Sequence, residues 1–314
     1  PTPGSRTSAS PVPLTPQKTV FENLEDANHT WRYYYNDSTW NYFIEWFNTP
    51  RGAAGVQGYD EFYDRAEKGT LPSFSFILPR QGENTTTGAG SNDDHPCHDV
   101  ALGELLIKQT YEALRAGAGW NKTLFLVTYD DTGGFYDHAP VPMGVPRPDN
   151  VSACSTATNF DWLGLRAPSL LISPWISKGK VIEEPEGPET DSQYEHSSIS
   201  ATLKNVFGLD SFLTARDAWA GSFDQELDLT SPRTDCPMHL PDPPDPSADA
   251  GKHGCVDPND LTRRQKRRVL GLAKANGVQP PDLGGLCQVE AEQWIIEQEH
   301  VHRARVLRSE GPEL

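Results

Sequence analysis

Residues 100–138 read VALGELLIKQTYEALRAGAGWNKTLFLVTYDDTGGFYDH, and this stretch determines the fold class. Its first part spaces apolar residues at helical intervals from Val100 to Ala116, which predicts an amphipathic helix. Leu124 to Tyr129 then forms a continuous apolar run, which is typical of a buried strand. A helix followed by a buried strand is the repeating pattern of α/β proteins, so we expect an α/β fold.

Polar residues able to bind a metal ion or a phosphate gather in three clusters at the ends of predicted elements. One cluster follows the Leu124 to Tyr129 strand, and the other two directly precede predicted helices. In open α/β sheets, ligands bind at the carboxyl ends of the strands. The candidate site is therefore composed of Asn92 to Pro96, Tyr129 to His138, and Gln193 to Ser198.

The central cluster carries two adjacent carboxylates, Asp130 and Asp131, followed by the glycine pair Gly133 and Gly134. Glycines allow the chain to reverse sharply, so both carboxylates can face one small volume. Oxygen pairs of this kind suit a hard divalent cation. An ordinary turn with solvated acids explains this segment equally well when it is taken alone. Three polar clusters at element ends together favour the functional interpretation.

Further elements are predicted from capping and periodicity. Thr19 and Glu22 have the spacing of a capping box, which predicts a helix from Thr19 to Asp26. A helix from Asp60 to Lys68 is expected to end at Gly69. The remaining predictions are a serine-capped helix over 197–207 and strands over 31–35, 73–78 and 169–173.

Charge and hydropathy narrow the possible partners. The formal net charge of the 314 residues is −17, which disfavours nucleic acid as a partner because its phosphates would be repelled. The sequence contains no apolar run long enough for a transmembrane helix. Acceptor sequons for N-glycosylation favour a secreted or secretory-pathway protein, and they stand at Asn28, Asn36, Asn84, Asn121 and Asn150.

From about Asp60 to Phe223, the sequence resembles the C-terminal part of a phosphoesterase family. This family contains bacterial phospholipases C, plant non-specific phospholipases C and acid phosphatases. The segments that carry the resemblance keep their order along the chain, and they are Gly69 to Pro72, Phe74 to Pro79, Asn92 to Val100, Trp120 to His138, Pro168 to Gly179, Gln193 to Ile199 and Arg216 to Gly221.

The resemblance implies an alkaline-phosphatase-like three-layer sandwich that is incomplete at its N-terminal side. It also implies hydrolysis of a phosphate ester with the help of a divalent metal ion. Family members carry the metal-binding segment Glu-Asn-Arg-Ser-Phe-Asp-His and a Thr or Ser nucleophile in an N-terminal half. Neither feature is found in this sequence, so the nucleophile is expected in a missing N-terminal half.

The resemblance also assigns roles to individual residues. Asp130 matches a metal-binding Asp of the family, and Asp131 stands where the family usually has Glu, so both are candidate metal ligands. Thr132 replaces a His that is common at this position, which changes the surroundings of the site. His95 matches the histidine that faces the phosphate. Asp94, His138 and His196 match polar positions around the family's pocket. The candidate catalytic residues are therefore His95, Asp94, His138 and His196.

The chain is predicted to consist of three parts. Residues 1–18 are predicted to be a flexible lead-in rich in Pro, Ser and Thr, because such a tract cannot offset the entropy cost of ordering. Residues 19–230 are predicted to form the C-terminal part of the phosphoesterase domain, and residues 231–314 a loop-rich and helical extension.

The function implied by the resemblance is phospholipase C-like cleavage of phospholipids to diacylglycerol and a phosphorylated headgroup. An acid phosphatase-type phosphomonoesterase and a truncated, non-catalytic module that binds metal or phosphate remain as alternatives. The expected partner is a phospholipid or another phosphate ester. Peripheral membrane contact through the basic run Arg263 to Arg268 is a further expectation, with a solvated helix surface as its alternative.

Overall fold

The computed structural model describes residues 16–36, 44–81, 89–96, 98–150, 160–246 and 269–280, the last range without 272 and 275. These residues form a mixed α/β structure with a parallel sheet and helices, which confirms the predicted α/β class. They fall into two compact units. One unit is drawn from residues 1–78 and 107–241, and the other from residues 79–106 and 242–314.

The helices and strands have the following bounds in chain order. The α-helices are α1 Val20–Asp26, α2 Pro50–Ala54, α3 Tyr59–Lys68, α4 Val100–Ala116, α5 Ser197–Phe207 and α6 Ala215–Trp219. Short 3-10 helices span Glu45–Asn48, Trp120–Lys122 and Asp224–Glu226. The strands are β1 Trp31–Tyr35, β2 Val56–Gly58, β3 Phe74–Ile77, β4 Phe125–Thr128 and β5 Ser169–Ile172.

The strands of the first unit form two sheets. A three-stranded sheet has the order β2-β1-β3, with both neighbours parallel to β1. A two-stranded antiparallel sheet pairs β4 with β5, so that Thr128 lies opposite Ser169. The hydroxyl groups of these two residues are 2.7 Å apart and form a hydrogen bond. The carboxyl end of β4 leads directly into the candidate segment Tyr129 to His138.

An aromatic cluster forms the core against the parallel sheet. Because side chains alternate along a strand, Trp31 and Tyr33 share one face of β1, and the register places them opposite Phe74 and Phe76. Phe21 of α1 packs onto this face, with its ring centroid 5.1 Å from that of Trp31 and 5.4 Å from that of Phe74. Each aromatic pair contributes about 0.5–1.5 kcal/mol beyond its buried area.

Most predicted elements are confirmed within one or two residues. Thr19 caps α1, since its hydroxyl accepts the N–H of Glu22 at 3.1 Å. Gly69 ends α3 in the left-handed conformation with φ 65°. Strand β1 and helix α4 have the predicted bounds, whereas β3, β4 and β5 are shorter than predicted.

The prediction that a serine caps α5 is wrong. Helix α5 begins at Ser197 as predicted, but its N-cap is His196, which makes no side-chain capping hydrogen bond. The nearby serines are engaged with Glu195 instead. Ser198 accepts the Glu195 N–H at 3.0 Å, and the Ser197 hydroxyl donates to the Glu195 carboxylate.

Several sequence predictions fall partly or wholly beyond the described residues. Residues 1–15 of the predicted lead-in, most of the extension beyond residue 246, and the basic run 263–268 lie outside them. The proposed division at residues 18 and 230 therefore stays a prediction. Within the described ranges, no helix combines the length and the apolar character needed to cross a membrane.

Candidate functional site

The turn after β4 has the sharp reversal predicted from its glycine pair. Gly133 and Gly134 both lie in the left-handed region, with φ 62° and 76°. The carboxylate of Asp131 accepts the Gly133 N–H at 2.5 Å, which closes an Asx-type turn. The side chains of Asp130 and Asp131 are exposed. Asp131 therefore shapes the turn, whereas Asp130 stands directly after the strand in contact with solvent.

His196 joins two of the predicted clusters. It lies at the N-cap of α5, and its Nε2 is 2.8 Å from the backbone oxygen of Tyr129. A carbonyl oxygen only accepts hydrogen bonds, so Nε2 carries the proton and Nδ1 remains for another partner. This contact brings the start of α5 to the end of β4, across 67 residues of sequence. The expected convergence of the Tyr129 to His138 and Gln193 to Ser198 clusters is therefore observed.

His138 stands apart from this convergence. Its side chain is 87% exposed, and its Nδ1 is 3.6 Å from the carboxylate of Asp137. Asp137 itself is held by Arg166 through two hydrogen bonds, Nε to Oδ2 at 2.7 Å and Nη2 to Oδ1 at 2.8 Å. The hydrogen bonds and charge of Arg166 hold the pKa of the Asp137 carboxyl well below its usual range. Sequence reasoning missed this ion pair, which anchors the end of the cluster.

Asp94 and His95 belong to the second compact unit. His95 is exposed, and its Nδ1 donates to the backbone oxygen of Pro96 at 2.9 Å. Asp94 has a positive φ of 61°, and its carboxylate lies against Gly103 of α4. The positive φ is uncommon for a residue other than glycine, and such outliers are found at functional sites more often than elsewhere.

Two neighbours of His95 were given no individual role by the sequence, although Asp93 lies in the predicted Asn92 to Pro96 cluster. His98 and Asp93 have side chains that are only 13% and 11% exposed, and His98 Nδ1 lies 2.6 Å from Asp93 Oδ1. The rings of His95 and His98 are tilted towards each other with centroids 5.6 Å apart. The repeated His and Asp residues over 93–99 were the available signal in the sequence.

The cluster before α5 also contributes to packing. The hydroxyl of Tyr194 donates to Glu226 at 3.0 Å, and Lys180 pairs with the same carboxylate. Burial, followed by the neighbouring negative charge of Glu226, raises the pKa of Tyr194 well above its usual range. Tyr194 and Glu226 line a cavity of about 180 Å³ between α5 and α6. Tyr194 is thus a structural member of its cluster.

The described residues do not form a complete metal centre. Zinc sites in proteins have three or four side-chain ligands, and calcium sites have six to eight oxygen ligands. Among the described residues, no group of three or more His, Cys, Asp or Glu side chains is arranged to hold a metal ion. Asp130 and Asp131 offer two carboxylates, and one of them already accepts a backbone N–H. The predicted metal ion therefore has at most a partial set of ligands here.

Comparison with known proteins identifies the family. The chain belongs to the phosphoesterase family, whose model matches residues 3–210. This confirms the resemblance found in the sequence motifs and extends it towards the N-terminus.

Curated relatives come from plants and bacteria. The chain is 47% identical to non-specific phospholipase C3 of Arabidopsis thaliana over 232 residues, which are 73% of this chain and 44% of that protein. It is 46% identical to non-specific phospholipase C6 of the same plant, over 72% of this chain and 44% of that protein. Identity to the hemolytic phospholipase C of Pseudomonas aeruginosa is 29%, over 60% of this chain and 29% of that protein. The chain thus spans less than half the length of these relatives.

Proposed function

We propose that this chain forms part of a hydrolase that cleaves phospholipids in the manner of a phospholipase C, releasing diacylglycerol and a phosphorylated headgroup. The observation that carries the proposal is the contact of His196 with Tyr129, because it brings an imidazole beside the Asp130 turn at a strand end. The names of the relatives support the same reaction, since the plant and Pseudomonas proteins are both called phospholipases C.

His196 of the first unit and His95 of the second are each proposed as a residue that acts on phosphate. Cleavage of a phosphodiester builds negative charge on the phosphate oxygens and on the leaving oxygen, and preorganised N–H donors stabilise that charge. His196 has Nδ1 available because Nε2 binds the Tyr129 oxygen. His95 has Nε2 available because Nδ1 binds the Pro96 oxygen. Each ring therefore offers one nitrogen that accepts a hydrogen bond or a proton while the ring is neutral, and that donates to a phosphate oxygen once the ring is protonated.

The remaining predicted residues receive supporting roles. Asp130 is proposed as one ligand of a divalent metal ion whose other ligands come from outside the described residues, and Asp131 as the residue that shapes the metal-binding turn. When bound, such an ion supplies Lewis-acid stabilisation of the phosphate charge. Asp94 and His138 are each proposed, within their own unit, as a polar residue near bound phosphate, and the side chain of His138 is exposed.

The nucleophile is proposed to lie in an N-terminal half of the protein, together with the rest of an alkaline-phosphatase-like sandwich. The exposure of apolar strand residues supports the further part of the sandwich. Leu170 of β5 is 55% exposed, and every residue of β4 is at least partly exposed. Among the described strands, β4 pairs only with β5. Burying these residues requires a further layer or strand.

The proposal is tested by hydrolysis of phosphatidylcholine vesicles by the complete open reading frame that encodes this chain, with and without added Mn²⁺ or Ca²⁺. Asp130→Ala is expected to abolish both metal-dependent turnover and binding of the added ion. Asp210→Ala is the matched control, because Asp210 is an exposed carboxylate of the same unit. Equal activity of the Asp130 and Asp210 variants would remove Asp130 from the mechanism.

The same assay separates the alternative functions. Turnover of p-nitrophenyl phosphate without release of diacylglycerol would favour an acid phosphatase. Binding of the metal ion or of inorganic phosphate by a folded protein that hydrolyses neither substrate would favour the non-catalytic module. Diacylglycerol release that depends on Asp130 and His196 would support the phospholipase.

A further inference from the structure

We propose that Asp93 and His98 form a positioning pair that fixes the orientation of His95. This inference rests on the proposed function, in which His95 faces the phosphate. The pair lies among residues 91–96 and 98, which precede α4 and are here called the His95 loop. Both side chains are nearly buried, although the ring that they flank is exposed.

A single oxygen of Asp93 joins two parts of the His95 loop. Oδ1 accepts the Nδ1–H of His98 at 2.6 Å and the backbone N–H of His95 at 3.2 Å. Hydrogen bonds to a carboxylate are stronger than neutral ones, and the low exposure of the pair strengthens them further. Asp93 thereby couples the ring of His98 to the main chain of His95.

The other side of His98 is also occupied. Because Nδ1 donates to Asp93, Nε2 of the neutral ring is an acceptor, and the hydroxyl of Ser91 lies 3.4 Å from it. Ser91, His98 and Asp93 thus have the connectivity of a serine hydrolase triad. Ser91 is only 1% exposed, so its hydroxyl cannot reach a phospholipid. The arrangement therefore supports positioning rather than nucleophilic catalysis by Ser91.

The backbone between the two hydrogen bonds is constrained as well. Asp94 adopts φ 61°, a conformation that costs about 1 kcal/mol or more for a residue with a side chain. Its carboxylate occupies the space beside Gly103, where an added Cβ would lie 1.9 Å from Asp94 Oδ1. Strained conformations persist only when the surroundings determine them. Here the next residue, His95, is held by Asp93, and the Asp94 carboxylate fills the space beside Gly103.

These contacts act on the nitrogen that is proposed to meet the substrate. The side chain of His95 is tied through Nδ1 to Pro96, so Nε2 moves with the backbone of the loop. Loss of the Asp93 contacts would release that backbone. A displacement of about 1 Å of a catalytic group can lower the rate about 100-fold.

The kinetic test uses Asp93→Ala, His98→Ala and His98→Asn in the complete protein with phosphatidylcholine vesicles. We expect Asp93→Ala and His98→Ala to lower kcat about 100-fold while KM stays within about 3-fold, because positioning acts mainly on the transition state. The amide introduced by His98→Asn can donate to Asp93 from near the position of Nδ1, so this variant should recover about 10-fold of the loss. Glu104→Ala, which removes an exposed carboxylate from the same unit, is the control and should match the wild type.

Two kinetic results would overturn the inference. One is a kcat of Asp93→Ala within about 2-fold of the wild type, a change equivalent to less than about 0.5 kcal/mol. The other is a Ser91→Ala variant as impaired as Asp93→Ala, which would make Ser91 the acting group. Circular dichroism of each variant detects any loss of fold. If an alanine variant does not fold, the comparison with the wild type is made with His98→Asn.

A second readout does not require hydrolysis. In ¹⁵N-histidine NMR spectra, His98 is expected to show a protonated Nδ1 and an unprotonated Nε2. Asp93→Ala should shift the ring signals of His95, whereas Glu104→Ala should leave them unchanged. The proposed pair would be overturned if His98 were protonated on Nε2 alone, or if the ring signals of His95 were unchanged in Asp93→Ala. If the NMR result holds but the protein hydrolyses no phosphate ester, the proposed function fails while the control of His95 by Asp93 and His98 stands.

Discussion

Substitution of Gly55 by alanine tests how tightly the aromatic core packs. Gly55 follows α2 with φ −83° and ψ −7°, a conformation that alanine adopts without strain. The only obstacle is space. A Cβ at this position would lie 1.9 Å from Cη2 and 2.1 Å from Cζ3 of Trp31. Because ordinary contacts begin near 3.4 Å, the indole or the α2 backbone must move by about 1.5 Å.

The indole cannot make this movement cheaply. Trp31 is 4% exposed, its Nε1 donates to Glu25 at 3.1 Å, and Phe21 and Phe47 pack on its ring. Overpacking of a core costs about 1–3 kcal/mol, and the lower entropy of unfolded alanine offsets about 0.4–1 kcal/mol. The expected net loss is about 1.3 kcal/mol, or about 3–5 °C in Tm for a unit of this size.

Urea unfolding, monitored by circular dichroism, measures the loss of stability. Gly58→Ala is the control, because an added Cβ at Gly58 meets no atom within 4 Å. Trp31→Phe removes the ring atoms that the new methyl group would strike. The double variant Gly55→Ala with Trp31→Phe should therefore lose less stability than the sum of the single variants. Strict additivity, or a Gly55→Ala protein as stable as the Gly58→Ala control, would refute the packing argument.

Three further predictions concern single groups in the first unit. Arg166 holds the pKa of Asp137 below its usual range, so the pair stabilises the fold at pH values above about 4, and this stabilisation is lost as pH falls through the folded pKa. In urea titrations, Asp137→Asn should be less stable than the wild type at pH 7, and its stability should depend less on acid pH. Burial raises the pKa of Tyr34 to about 12, so up to about 3 kcal/mol of stability should be lost as pH rises from about 10 to 12. In alkaline unfolding, Tyr34→Phe should not show this loss of stability. Thr214 caps α6 and forms a capping box with Asp217, so Thr214→Ala should cost about 1 kcal/mol in thermal unfolding, whereas Thr214→Ser should cost less.

Local signals predicted much of the fold. The capping box at Thr19 and the left-handed Gly69 act within a few residues, so the sequence contains all that is needed to place these helix ends. The long periodic helix α4 was equally clear. The short elements α2 and β2 were not predicted, because three to five residues carry too little periodicity. Their formation depends on packing against Trp31 and its neighbours.

The candidate site shows the same division between local and distant information. The polar clusters and the glycine turn were visible in the sequence, and family motifs named Asp130 and His196. The partners of these clusters were not visible. Arg166 binds Asp137 from 29 residues away, and His196 meets a backbone oxygen 67 residues away. Such pairings depend on tertiary packing, which no spacing rule encodes. The Asp93 and His98 pair lies within five residues, yet its burial could only be seen in the structure.

We propose that the protein to which this chain belongs cleaves phospholipid on the glycerol side of the phosphate. Mass spectrometry of the products formed from phosphatidylcholine by the complete open reading frame tests this claim most directly. We expect diacylglycerol and phosphocholine in equal amounts, with both lost in Asp130→Ala and retained in Asp210→Ala. Formation of phosphatidic acid with free choline, or release of inorganic phosphate from monoesters alone, would contradict it.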